Sequence, residues 1–239
     1  MSKVQAVILA GGQGSRLRPY TTILPKPLMP VGELPIAEII VRQLARAGLT
    51  HIAISTGHLA ELIEAYFADG KRWGVHIQYI REDRPMGTAG ALQFVENLTK
   101  DFLVINGDIL TDLDFGKLMK VHAQKRAAAT IAIAERIVKT DFGVIETGPD
   151  GALQDYIEKP AQRLWVSTGI NVLSSRCLKF LKKNEPLGMP ELMLRLKAAG
   201  EPVRCFKTRG YWLDLGRRED LDLAQEVFEQ NQKKFLKGS

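Results

Sequence analysis

The chain has 239 residues, 45% of them hydrophobic, enough for one large domain or two small ones with an ample core. Its formal charge of +6 rests on scattered lysines such as Lys179, Lys182, Lys183, Lys233, Lys234 and Lys237, with no interleaved aromatics, and reads as solvated surface rather than a nucleic-acid face. Two distant cysteines, Cys177 and Cys205, with no CxxC and no histidine cluster, exclude a disulfide framework and a structural zinc site, and their apolar neighbours predict buried thiols in a reducing compartment.

Val4–Ala10 reads as a buried strand that runs straight into Gly11-Gly12-Gln13-Gly14-Ser15-Arg16. It is too short for a signal peptide, and no apolar run reaches the ~20 residues of a membrane span. A cytoplasmic protein without a membrane partner is therefore expected. Pro35–Ala47 carries a helical stripe (Ile36, Ile39, Ile40, Leu44) closed by Gly48. Strand, helix, strand and helix follow over His51–Ser55, Leu59–Ala68, Val75–Ile80 and Thr88–Leu98. Phe102–Asn106 is a further strand, and Asp114 is placed to cap a helix over Phe115–Arg126.

The second half changes character. Strands are predicted over Ala129–Ala134, Phe142–Thr147, Leu153–Glu158, Val166–Leu173 and Val203–Lys207, with a turn at Gly148-Pro149-Asp150-Gly151. Leu178–Leu181, Pro190–Ala199 and Arg218–Gln232 read as helical. Alternating strands and helices argue an α/β, doubly wound, mostly parallel mixed sheet. No linker divides the chain, so residues 1–239 are expected to form one domain. Residues 1–126 would be the half that carries the glycine loop, and 127–239 a more β-rich half forming the substrate side, with the closing helix.

Glycines after a buried strand bring bare backbone N–H groups to the mouth of a sheet, where they can cradle phosphate oxygens. The dinucleotide fingerprint needs a third glycine three residues after Gly14, where Leu17 stands, and no Gly-Lys-Ser/Thr of a P-loop occurs. What is left is a phosphate loop with its own cations, Arg16 and Lys26, the latter within Pro25-Lys26-Pro27. In open α/β sheets ligands lie beyond the carboxyl ends of the strands. Gly87-Thr88-Ala89-Gly90, Asp108 and Asp214 are expected there as well. Taken singly, each has a plainer reading: a tight turn, close helix packing, a loop cap.

Their order along the chain decides between the readings. Leu-Ala-Gly-Gly-x-Gly-x-Arg-Leu-x-Pro is followed by Pro-Lys-Pro, Gly-Thr-Ala-Gly-Ala, Asn-Gly-Asp, Phe-Gly-Val, Glu-Lys-Pro, Thr-Gly-Ile and Trp-Leu-Asp-x-Gly. From Val4 to about Ala224 this series resembles the sugar-1-phosphate nucleotidyltransferases, the nucleoside-diphosphate-sugar pyrophosphorylase family. The resemblance implies a Rossmann-like fold and an enzyme that joins a nucleoside triphosphate to a sugar-1-phosphate with release of pyrophosphate.

It also implies roles. Leu9, Gly11, Gly12, Gly14, Ser15 and Arg16 would hold the nucleotide, with Glu82, Gly87 and Thr88 around the base and Asp108 near the ribose. Arg16, Lys26, Asp108 and Lys159 would be catalytic, and Asp108 and Asp214 would bind Mg²⁺. Gly143, Glu158, Lys159, Asn171 and Trp212 would form the sugar-phosphate side. A sugar-1-phosphate is already an anionic nucleophile, so His51, His58, His76 and His122 receive no catalytic role. Pro27 stands where thymidylyltransferases of the family have glutamine, and Asn171 where tyrosine is common.

The stretch Glu82–Gly90 most resembles guanylyltransferases acting on mannose- or heptose-type 1-phosphates, so GTP is the expected nucleotide, with UTP or dTTP as the alternative. The rival from another class is a catalytically silent, nucleotide-sensing regulatory subunit. A homo-oligomer is compatible with either. The chain ends after its closing helix, so no second activity is expected.

Overall fold

The computed structural model describes residues 3–237; the ends of the expected domain and the side chain of Lys237 lie outside the described residues. In chain order the strands and helices are β1 (Val4–Ala10), β2 (Pro30–Val31), β3 (Leu34–Pro35), α1 (Ile36–Arg46), β4 (His51–Thr56), α2 (Ala60–Phe67), β5 (His76–Arg81), α3 (Gly87–Gly90) and β6 (Leu98–Asn106). They continue as β7 (Ile109–Thr111), α4 (Phe115–Gln124), β8 (Ala129–Lys139), β9 (Val144–Thr147), β10 (Leu153–Ile157), β11 (Ala161–Ser174), α5 (Met189–Ala198), β12 (Val203–Lys207), β13 (Trp212–Asp214) and α6 (Arg218–Lys237).

A seven-stranded sheet in the order β12-β8-β11-β6-β1-β4-β5 organises the chain. All its pairings are parallel except those of β11, which runs antiparallel to both β6 and β8. The expected mixed, mostly parallel sheet is therefore present, and it joins both halves of the chain through β6 and β11. Such strands are covered on both faces, which is why Ala6–Ala10 of β1 and Phe102–Ile105 of β6 read as continuous apolar runs. One face packs Ile8, Ile54, Leu103 and Ile105 against Ile40 and Leu44 of α1. The other packs Val7, Ala53 and Val104 against Leu192 and Leu196 of α5. A third cluster joins α6, through Phe228 and Phe235, to α1 and to Leu110 of β7.

Asp114 caps α4 as expected, its Oδ1 accepting from the Lys117 N–H at 2.8 Å. Three expectations need correction. The helix placed over Thr88–Leu98 shrinks to α3 and a 3-10 turn over Ala91–Phe94. Val95 turns extended, Asn97 takes a left-handed φ of 56°, and Leu98 already pairs with Val4. The helix expected at Leu178–Leu181 is a 3-10 turn over Ser175–Phe180. Cys177 is buried and its thiol donates to the Ala128 carbonyl, but Cys205 is exposed, because it lies on the edge strand β12 with one side unpaired.

β8 and β11 are also longer than their apolar cores suggest. Beyond Ala134 and before Val166 they run on as a two-stranded arm, and the β9–β10 hairpin lies between their far ends. The arm leaves Ile137, Phe142, Leu153, Tyr156 and Trp165 exposed. Among the described residues no helix is long and apolar enough to cross a membrane.

Candidate active site

β1, β4, β5 and β6 all end on the same edge of the sheet, and the segments following β1, β5 and β6 line a cavity of about 370 Å³. Leu9, Gly11, Gly12, Gly14, Ser15 and Arg16 line it from the first loop, with Glu82, Gly87 and Thr88 opposite. Lys26 and Asp108 complete the lining, so every residue expected at the nucleotide, together with the motif lysine, is brought to one place.

The Asn-Gly-Asp and Trp-Leu-Asp motifs meet through backbone geometry. Asp214 is in register with Ile109 in the β13–β7 ladder, and the Leu215 N–H donates to the Asp108 carbonyl at 3.0 Å. This brings the two aspartates together from segments more than a hundred residues apart in sequence. The Lys26 ammonium is 10% exposed; it pairs with Asp108 Oδ2 and lies 3.4 Å from Asp214 Oδ1. Burial pushes the Asp108 carboxyl above its ordinary value, with Lys26 opposing the rise and Asp214 adding to it. Arg16 extends over Gly216, where a Cβ would come within 3.2 Å of its Nη1.

Asp108 Oδ1 is buried without a hydrogen-bond partner. Among the described residues no group of three or more His, Cys, Asp or Glu side chains is placed to hold a metal ion. A pair of carboxylates with one unpartnered oxygen still fits Mg²⁺, which usually takes one or two carboxylates and completes its octahedron with water and substrate phosphate. Asp108 and Asp214 are the residues that fit it.

Glu82 is more constrained than its sequence position suggests. Its Oε1 accepts from the Ser55 hydroxyl at 2.5 Å and its Oε2 from the Met86 N–H at 2.9 Å. The same carboxylate crowds Gly11, where an added Cβ would stand 2.9 Å from Oε1. A side chain at position 11 would have to displace the Glu82 carboxylate from its two hydrogen bonds, so the glycine loop lies close against this side of the cavity. Ser55 carried no motif and was not singled out; it faces this side because it is in register with Leu9.

Gly87 has a φ of 75°, and a Cβ there would stand 2.6 Å from the Leu187 carbonyl oxygen. Thr88 Oγ1 accepts from the Met189 N–H at 2.7 Å. The segment therefore combines both readings of its glycines, lining the cavity while packing tightly on the loop before α5. Asn106 also lines the cavity and fills the space at Gly169, where a Cβ would meet its Nδ2 at 2.6 Å. Asn-Gly-Asp and Thr-Gly-Ile are thus two sides of one contact, and Asn106 was legible as a site residue from that motif.

The residues expected at the sugar-phosphate are not among those lining this cavity. Glu158 and Lys159 are exposed on the arm, Lys159 with a φ of 44°, and Gly143 lies beneath the Tyr156 hydroxyl. Asn171 is buried within β11, its Oδ1 unpartnered, and Trp212 commits its ring N–H to the Thr168 carbonyl at 2.8 Å. His122 is buried against Thr130, consistent with a structural role.

A glycine loop bearing Arg16, facing a buried Lys26 paired with Asp108 and the half-exposed Asp214 at the carboxyl edge of a mixed α/β sheet, suits a polyanionic phosphate ligand. The chain belongs to the nucleotidyl transferase family, whose pattern it matches over residues 5–231. It is 31% identical to a UTP–glucose-1-phosphate uridylyltransferase of Synechocystis, covering 91% of this chain and 61% of that one. It is 29% identical to a mannose-1-phosphate guanylyltransferase of Mycobacterium tuberculosis, covering 91% of this chain and 62% of that one. The chain thus spans less than two thirds of these curated relatives. Among solved structures it resembles a protein from Bacillus anthracis described as a glucose-1-phosphate thymidylyltransferase, with a TM-score of 0.77, 26% identity, and coverage of 98% of this chain and 99% of the other. HddC from Yersinia pseudotuberculosis complexed with GMP-PN gives a TM-score of 0.70 at 25% identity, over 94% of this chain and 99% of the other.

Proposed function

We propose that this chain makes a nucleoside-diphosphate sugar. A phosphate oxygen of a sugar-1-phosphate attacks the α-phosphorus of a nucleoside triphosphate. The bond from that phosphorus to the bridging oxygen breaks, and pyrophosphate leaves with the electron pair. No proton needs to be removed from the nucleophile, so the chemistry requires positioning and cations rather than a base. The observation that carries this reading is the Lys26 ammonium held between Asp108 and Asp214 below the glycine loop.

On this reading Gly11, Gly12 and Gly14 present backbone N–H groups to the phosphates, while Arg16 and Lys26 stabilise the negative charge that grows on the leaving pyrophosphate. Asp108 and Asp214 would hold Mg²⁺, which when bound supplies further charge neutralisation on the phosphate oxygens. Glu158 and Lys159 on the arm serve the sugar-phosphate, Lys159 by its charge and Glu158 as an acceptor for sugar hydroxyls.

For the base we favour guanine, with a mannose- or heptose-type 1-phosphate as partner. Each oxygen of Glu82 accepts one protein hydrogen bond and keeps a further acceptor site. Guanine offers N1–H and an exocyclic amino group side by side, a match for two carboxylate oxygens. The similarity to a uridylyltransferase favours UTP as the second reading. Comparing kcat/KM for GTP, UTP, dTTP, CTP and ATP against several sugar-1-phosphates tests the assignment. A GTP preference supports it, and a UTP preference replaces it.

A further inference from the structure

A second cavity, of about 330 Å³, is lined by Arg42, Ala45, Arg46, Arg72, Trp73 and Leu236, none of them shared with the glycine-loop cavity. Its charge is one-sided: three guanidinium groups line it and no carboxylate does. Arg42 and Arg46 are one turn apart on α1 and so share a face. Arg72 comes from a separate 3-10 turn, Lys71–Trp73.

Each arginine has a different commitment. Arg42 is neutralised by the fully buried Glu38, with Nη2 at 2.6 Å and Nε at 2.8 Å from Oε1. Arg46 meets no carboxylate among the described residues; its Nη2 donates to the Phe235 carbonyl at 2.8 Å. Burial, and secondarily the field of Arg42, lower the Arg46 guanidinium from its ordinary value. Arg72 lies over the Trp73 ring at 5.2 Å and has no ion-pair partner among the described residues. Tyr66 also stacks on Trp73, with ring centroids 6.0 Å apart, and helps to fix the indole under Arg72.

Two uncompensated guanidinium groups therefore face one cavity from separate elements, beside an apolar floor of Ala45 and Leu236. A concave site of one sign concentrates counter-ions. The planar fork of arginine matches phosphate oxygens better than any other side chain does. We infer that this cavity is a second anion site, separate from the nucleotide cavity, that takes a ligand carrying a diphosphate. Two guanidinium groups brought from separate elements offer a diphosphate one partner for each phosphoryl group, where a single phosphate needs only one.

Equilibrium dialysis with radiolabelled inorganic pyrophosphate tests the inference directly. The unmodified chain should bind one more equivalent than Arg72→Gln, or bind that equivalent at least tenfold more tightly. Arg72→Lys, which keeps the charge, should restore most of the loss. Lys26→Ala should keep the extra equivalent, so the result does not depend on the function assigned to the glycine-loop cavity. Competition in Lys26→Ala then separates sources: displacement by a nucleoside diphosphate indicates a nucleotide ligand, and resistance to it indicates free pyrophosphate. Identical stoichiometry and affinity in the unmodified chain and Arg72→Gln, with both folded by circular dichroism, would overturn the assignment.

Discussion

The Lys26 ammonium is paired with the Asp108 carboxylate at the floor of the glycine-loop cavity, and the pair is set by backbone contacts rather than by either side chain alone. The β7–β13 ladder and the Leu215-to-Asp108 hydrogen bond fix where Asp108 stands. Lys26 is fixed by its own 3-10 turn, in which the Leu28 N–H donates to the Pro25 carbonyl and the Met29 N–H to the Lys26 carbonyl. The site is thus preorganised before any ligand arrives, as electrostatic catalysis requires.

Asp108→Asn and Asp214→Asn should each lower kcat by at least ~10², because each removes a charge that pairs with Lys26 and, on the proposed reading, would hold Mg²⁺. Circular dichroism should show both variants folded. Turnover near that of the unmodified chain in saturating Mg²⁺ would remove the two aspartates from the mechanism.

Arg16→Ala and Lys26→Ala should slow synthesis and pyrophosphorolysis by the same factor, since the two directions share one transition state. Measuring kcat and KM in both directions distinguishes this from a binding role. A variant with raised KM and unchanged kcat would show that the cation only holds the nucleotide.

Thr88→Val should act on stability before it acts on base choice. It removes the acceptor of the part-buried Met189 N–H, a loss of about 0.5–1.5 kcal/mol. Chemical denaturation should report that loss while the ranking of nucleotides by kcat/KM stays the same. Glu82→Gln should do the reverse, eroding the GTP preference more than overall activity, because the Ser55 hydroxyl can still bond to the amide.

His122 gives the fold a pH dependence. Burial holds its imidazole below the ordinary 6.5, with Asp101 opposing the shift. The unfolded chain therefore takes up the proton first as pH falls, and stability is lost from about pH 6.5 down through the folded value. Denaturation at a series of pH values should show this slope in the unmodified chain and a shallower one in His122→Gln.

The phosphate loop and the sheet were legible because β1 writes both into one continuous stretch: an apolar run, then glycines, then a cation. Asp114 was legible for the same local reason. The failures are non-local. Thr88–Leu98 has helical composition, but Leu98 is taken by the ladder with Val4, a partner no local pattern reveals. Cys205 has apolar neighbours yet lies on a sheet edge, which depends on strand order. Ser55 carries no motif at all, and only its register with Leu9 brings it to Glu82. The arm carries no strand signal in sequence, because its exposed residues do not alternate as a half-buried strand would.

The most direct measurement follows the α-phosphate. The chain is incubated with GTP labelled at the α-phosphorus, Mg²⁺ and mannose-1-phosphate or a heptose-1-phosphate, and labelled product and pyrophosphate are quantified together. The account predicts one labelled nucleotide-sugar for every pyrophosphate released, both lowered in parallel by Lys26→Ala. Pyrophosphate released without any labelled nucleotide-sugar, or no release with any pairing of nucleotide and sugar-1-phosphate, would contradict it.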